Sequence, residues 1–197
     1  MATLRISNKT YTYKDFLPFL YGSVKITISS NAKKDIKKSY SNLLENLSSG
    51  KTIYGVNTGF GRLSQIKIKE QDQSKLQLNL VRSHSAGVGK YLDAGIVRII
   101  MALKVLNYSY GYSGVHPDTV DQLVKFINNE VLPAVPEKGS VGASGDLAQL
   151  AHIASSLIGE GKIIRGEKVV TSKNVLNKLN INPLKLRQKD GISLVNG

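Results

Sequence analysis

Cysteine is absent from the 197 residues, which excludes disulfides, zinc–thiolate centres and cysteine nucleophiles and fits a reducing compartment. Histidine is scarce. Its three occurrences, His84, His116 and His152, are too scattered to suggest a ligand set, so no metal is expected. The first sixteen residues, MATLRISNKTYTYKDF, lack a basic end followed by an apolar stretch and do not form a secretory signal. Long apolar runs are missing too. The richest, residues 95–106, is broken by Arg98 and Lys104 and is too short to span a bilayer. Repeats, low-complexity tracts and clear linkers are also missing. A cytoplasmic protein without a membrane partner is the expectation.

Acidic residues are few beside basic ones, 14 against 27, for a formal net charge of +13. Such a balance raises nucleic acid as a partner. The lysines are spread along the chain, however. The densest group, Lys33, Lys34, Lys37 and Lys38, falls on a predicted helix whose apolar stripe lies elsewhere, so a solvated face is the better reading and no nucleic-acid partner is expected.

Hydrophobic residues make up 41% and charged ones 21%, a globular composition. Ser29 or Ser30 can cap a helix over residues 30–48, with Ile36, Tyr40, Leu43, Leu44 and Leu47 on one face. An extended piece is predicted over 52–56, then turns over 57–61. A second helix fits 70–85, with Leu76, Leu80, Val81 and His84 at helical spacing. Asp93 can cap a third, whose face is predicted as Ile96, Ile99, Ile100, Leu103 and Leu106. A fourth begins at Pro117, a favoured first-turn position. A loop over 132–145 feeds a fifth helix, 146–158, apolar almost all round and therefore buried on every side. A hairpin turning at Gly166-Glu167 and a short helix over 172–179 follow. The fold class is mainly α with short strand pairs. The abrupt apolar end, Leu194-Val195-Asn196-Gly197, suggests an incomplete chain.

The most informative stretch is Gly139-Ser140-Val141-Gly142-Ala143-Ser144-Gly145-Asp146-Leu147. Its residues alone allow a tight turn with Asp146 as N-cap. They also allow an anion-binding helix N-terminus, although the Lys-Ser/Thr of a P-loop is missing. A hydrolase elbow is a third reading, but Ser144 does not stand in G-x-S-x-G.

Residues 141–152, VGASGDLAQLAH, resemble the signature of the histidine, phenylalanine and tyrosine ammonia-lyases. Further segments are similar in the same order: 53–61 (IYGVNTGFG), 76–87 (LQLNLVRSHSAG), 113–116 (SGVH), 157–161 (LIGEG) and 191–197 (GISLVNG). The resemblance covers nearly everything from about Tyr13 onward. It implies the N-terminal domain, residues 1–197, of an ammonia-lyase-like (aspartase-type) helical fold with short β hairpins, the central helices lying beyond.

In that family the Ala-Ser-Gly tripeptide cyclises into 4-methylidene-imidazol-5-one, so Ala143, Ser144 and Gly145 would form the electrophile without metal or exogenous cofactor. The Gly145 nitrogen must reach the Ala143 carbonyl, which needs a compressed backbone. The resemblance further implies Tyr54 as acid or base at the substrate's β-carbon, with Gly61 in the same loop and Asn196 beside the electrophile. Read without it, Tyr54 is a core strand tyrosine and Asn196 a turn residue. Ser83 and His84 match the substrate-facing pair of histidine-type members, so L-histidine is the expected substrate and trans-urocanate the product. Gln149 stands where histidine-type enzymes usually carry proline, and tyrosine-active lyases and aminomutases remain alternatives. The family assembles as homotetramers when full length. These 197 residues alone are expected to be inactive, and a non-catalytic fragment is the competing reading.

Overall fold

The computed structural model describes residues 2–197. At its N-terminal end β1 (Thr3–Ile6) pairs in parallel with β2 (Lys25–Ile28), Ile6 opposite Ile28. Between them lie two single-turn helices, α1 (Tyr13–Phe16) and α2 (Pro18–Tyr21). Four-residue elements offer too few periods for a pattern to register, and none of these is foreseen from sequence. The Asn128 side chain caps an edge of β2, accepting from Ile26 N at 2.7 Å and donating to Ile26 O at 3.0 Å. It supplies both bonds that a neighbouring strand would make.

Ser29 Oγ accepts from Ala32 N at 3.2 Å and starts α3 (Ser30–Ser48), with Ile36 and Leu43 buried. Lys33, Lys34, Lys37 and Lys38 are all exposed on it. The helices α4 (Glu70–His84), α5 (Ala94–Ser109) and α6 (Pro117–Asn128) follow, with Pro117 in the first turn of α6 as expected.

The buried face of α5 is not the predicted one. Val97, Met101, Val105 and Tyr108 are buried, whereas Ile96 and Leu103 are exposed and Ile99, Ile100 and Leu106 half-buried. Between residues 95 and 106 the helix is apolar nearly all round, so periodicity does not choose a side. Close packing on α2 chooses it: a Cβ on Gly95 would lie 2.4 Å from Leu20 O. Of the two charges in this run, Arg98 is met by Glu130 at 2.8 Å.

The 132–145 loop contains two short strands. β4 (Leu132–Pro133) joins β6 (Lys162–Arg165) and β7 (Lys168–Thr171) in a three-stranded antiparallel sheet. β5 (Pro136–Lys138) pairs with β3 (Val88–Tyr91). The hairpin turns at Gly166, φ +59°, where expected. Next to the sheet lies α8 (Ser172–Lys178). Helix α7 (Leu147–Leu157) is buried on nearly every side, as its composition requires. The final apolar segment forms α9 (Asp190–Val195). Helices α4, α7 and α9 pack against one another, and a Cβ on Gly191 would come within 2.6 Å of Gln77 O. This junction holds the candidate site. Among the described residues no helix is long and apolar enough to cross a membrane.

Candidate active site

The segment expected to be extended over 52–56 is a turn. Val56 N and Asn57 N donate to Ile53 O at 3.1 and 3.2 Å. The Asn57 side chain closes the loop, accepting from Ile53 N at 2.7 Å and donating to Lys51 O at 2.8 Å. An asparagine that satisfies local backbone groups competes with strand pairing, which is why β-branched Ile53 and Val56 do not form a strand. Gly55 has φ +67°, and a Cβ there would meet Phe60 Cε1 at 2.5 Å. Tyr54 is therefore not a core strand residue. It is 56% exposed, edge-on to Phe60 with centroids 5.9 Å apart. Its Oη accepts from Gly61 N at 3.1 Å, which leaves the phenol proton free to be donated.

Gln77 binds this loop to α9. It is fully buried, donates from Nε2 to Gly55 O at 2.8 Å and accepts from Ile192 N on Oε1 at 2.8 Å. A single amide thus uses one donor and its acceptor on two elements distant in sequence. The residue was visible only as a polar position in an otherwise apolar helical stripe.

Around Ala143 to Gly145 the chain makes a tight, exposed turn. Gly142 and Gly145 form an antiparallel bridge, Gly145 N donates to Gly142 O at 3.2 Å, and Gly145 has φ +83°. Ala143 and Ser144 are exposed. The C-terminal residues fold back onto the turn: Gly197 N donates to Ser144 O at 2.9 Å. A Cβ on Gly145 would lie 2.9 Å from Gly197 Cα, so the two glycines make a contact that larger residues would prevent. Asp146 occupies the N-cap position of α7, but its side chain makes no capping bond. The residue lines a cleft. Small residues, a left-handed glycine and an exposed serine fit a tripeptide that cyclises through its own backbone.

That cleft, about 800 Å³, is lined by Tyr54, Lys104, Asp146, Lys189, Asn196 and Gly197. Its apolar wall is the α5 stripe left unburied, Ile96, Ile100 and Leu103. Two lysines sit in it half-buried. Burial pushes Lys104 down to about 8 and also lowers Lys189. Both ammonium groups are directed at backbone carbonyls, Lys104 at Ser193 O (2.9 Å) and Asn196 O, Lys189 at Ser113 O (2.6 Å). Lys104 was legible only as a charge interrupting an apolar run. Asp190, at the start of α9, accepts from His116 N at 2.9 Å and Arg187 N at 2.8 Å. Burial raises its carboxyl even against those bonds.

Tyr54 and Asn196 thus face one cleft beside the 143–145 turn, and Gly61 is tied to Tyr54. Ser83 and His84 do not line that cleft. They end α4, two turns or roughly 10.5 Å beyond Gln77 along its axis. His84 Nδ1 lies 2.9 Å from Leu80 O and 3.1 Å from Ser83 Oγ. Contact with a carbonyl assigns the proton to Nδ1 and makes Nε2 an acceptor in the neutral ring. The other histidines serve the backbone: His116 Nδ1 accepts from Asp118 N at 3.1 Å and His152 Nε2 from Gly87 N at 3.1 Å. Among the described residues no three His, Asp or Glu side chains gather as a metal-ligand set.

A helical junction with an exposed Ala-Ser-Gly turn, flanked by Val141 and Asp146 on the rim of a cleft that Tyr54 also lines, defines a class. The sequence profile described as "Aromatic amino acid lyase" matches residues 11–197, and the chain belongs to that family. It is 46% identical over 172 residues to a probable histidine ammonia-lyase of Thermoplasma volcanium, covering 87% of this chain and 35% of that protein. Among solved structures, a tyrosine aminomutase of Streptomyces globisporus superposes with TM-score 0.93 at 34% identity, over 100% of this chain and 37% of that one. A histidine ammonia-lyase of Trypanosoma cruzi superposes with TM-score 0.89 at 33% identity, over 100% and 38%. The chain spans little more than a third of the length of the curated relatives it matches, 34% to 39%.

Proposed function

We propose that residues 1–197 are the electrophile-bearing N-terminal domain of an ammonia-lyase that converts L-histidine into trans-urocanate and ammonia. The observation that carries this reading is the Gly197–Ser144 hydrogen bond, which sets Asn196 beside the Ala143–Ser144–Gly145 turn on a cleft that Tyr54 also lines. Maturation draws on no reactant from outside the full-length protein. The Gly145 nitrogen bonds to the Ala143 carbonyl carbon, whose oxygen leaves as water with the Gly145 and Ser144 amide hydrogens while a carbon–nitrogen double bond forms to Ser144 N. Ser144 then loses its hydroxyl with its α-hydrogen as a second water. The 4-methylidene-imidazol-5-one, built from Ala143, Ser144 and Gly145, would supply an electron-poor carbon able to activate the substrate's amine as a leaving group. No metal or exogenous cofactor is invoked.

Tyr54, oriented by the Gly61 N–H, moves the β-proton. Asn196 hydrogen-bonds beside the electrophile. Ser83 and His84, at the end of α4 and outside the cleft lining, are assigned the far end of the substrate ring, with Nε2 accepting from an imidazole N–H. The full-length protein acts as a cytoplasmic homotetramer on this reading.

L-Tyrosine is the second candidate substrate. An accepting Nε2 on His84 suits a phenol O–H equally well, and Gln149 replaces the proline usual in histidine-type enzymes. The deciding experiment incubates the purified protein, as its gene encodes it, with L-histidine and with L-tyrosine. The unsaturated acid is followed by absorbance and any β-amino acid by chromatography. Faster turnover of tyrosine would overturn the substrate assignment, and a β-amino product would replace lyase by aminomutase. No product, together with an unmodified tripeptide by mass, would leave the non-catalytic reading standing.

A further inference from the structure

Helix α9 ends one hydrogen bond short. Asn196 N donates to Ile192 O at 3.1 Å in regular helical register, and the next amide, Gly197 N, would be due at Ser193 O. It goes to Ser144 O instead. A buried helix-terminal carbonyl that loses its amide must find another donor. Ser193 is buried, and its carbonyl receives two donors from α5, Lys104 Nζ at 2.9 Å and Tyr108 Oη at 2.7 Å. Lys104 and Tyr108 stand one turn apart, on the same side of α5. The ammonium lies 5.3 Å from the Tyr108 ring centroid, a favourable cation–π distance. The same Nζ also donates to Asn196 O. A positive charge is well placed at a helix C-terminus.

We propose that Lys104 is the positioning residue of the electrophile turn. By taking over the Ser193 carbonyl it frees the Gly197 amide for Ser144 O, and by holding Asn196 O it fixes that residue beside the turn. Lys104 acts through Asn196 and Gly197 and is not itself a catalytic residue. The inference rests on the reading of residues 143–145 as the electrophile-forming tripeptide. An apolar side chain at 104 would leave Ser193 O with one donor and take from Asn196 O the lysine bond.

The test compares wild type, Lys104→Met and Lys104→Arg in the protein as its gene encodes it. Two readouts are used: hydrogen exchange at the Gly197 amide, and the two-water mass loss across residues 143–145. In Lys104→Met, Gly197 exchange is expected to accelerate on the order of tenfold or more, while amides inside α7 stay protected. The fraction of matured tripeptide falls, and arginine restores both. Should the methionine variant not fold, Lys104→Gln, which keeps a donor for one carbonyl, takes its place. Gly197 exchange unchanged from wild type in a folded variant overturns the proposal. If wild type itself lacks the two-water loss, the proposed function fails, yet the exchange readout still decides whether Lys104 holds Asn196 and Gly197.

Discussion

Replacing Gln77 with leucine and, separately, with glutamate tests whether one buried amide holds the tyrosine loop against α9. The side chain is fully buried and makes two bonds of 2.8 Å, one to Gly55 O and one from Ile192 N. Leucine leaves both backbone groups unpaired at about 1–3 kcal/mol each, so a loss of about 2–6 kcal/mol is expected. In a chain of this size each kcal/mol shifts Tm by roughly 2–4 °C. Glutamate behaves differently. Protonated, it donates to Gly55 O and accepts from Ile192 N, as glutamine does. Ionised, it keeps the second bond but sets a carboxylate against a carbonyl. Its folded-state pKa is therefore raised above the unfolded value of about 4.3. The glutamate variant should approach wild type below about pH 4 and lose stability as pH rises through the folded pKa. Thermal denaturation followed by circular dichroism between pH 4 and 8, referenced to wild type, reads this directly. A glutamate variant as stable as wild type at pH 7, or a leucine variant within about 0.5 kcal/mol of it, would refute the clamp.

Gly145→Ala combines a left-handed φ of +83° with a Cβ 2.9 Å from Gly197 Cα. A backbone strain of about 1–2 kcal/mol plus that clash should abolish the two-water mass loss, and a normal loss in this variant would sink the argument. The two bidentate arginine pairs should differ sharply. Arg98 is 14% exposed against Glu130, whereas Arg82 is 51% exposed against Glu160. Urea unfolding should lose about 1.5–3 kcal/mol in Arg98→Met and clearly less in Arg82→Met, and equal losses would contradict the burial argument. Lys104 shares its cleft with Tyr54, Glu137, Asp146, Lys189 and Tyr108, and burial holds it at about 8 against an ordinary 10.5. Between those values the unfolded chain binds the extra proton, so wild-type stability relative to Lys104→Met should rise with pH there. A difference that falls between pH 8 and 10 would reverse the sign and the cause.

Much of the helical framework can be read from residues close together in sequence. Ser29 caps α3, Pro117 opens α6 and the all-apolar pattern of α7 demands burial, because capping and periodicity act within a turn or two. The Ala143–Ser144–Gly145 turn, Tyr54, Gly61 and Asn196 are singled out only by resemblance to the family; read alone, the same residues allow an ordinary turn, a core tyrosine and a turn asparagine. Local reasoning went wrong at the buried face of α5 and at residues 52–56. Residues 52–56 read as extended because Ile53 and Val56 favour strands, but Asn57 and Gly55 close a turn that places Tyr54 at the cleft.

The sequence by itself determined the family, the Ala143–Ser144–Gly145 segment that resembles its signature, and most of the helices around it. It could not rotate α5, since a helix apolar on all sides is indifferent to its own rotation until Gly95 meets Leu20. Nor could it single out Gln77 or Lys104, whose partners are elements far along the chain: Gly55 and Ile192 for one, Ser193 and Asn196 for the other. Those bonds exist only once α4, α5 and α9 have packed. A polar side chain's role is set by the backbone groups that packing strands beside it, and that was decided by tertiary structure alone.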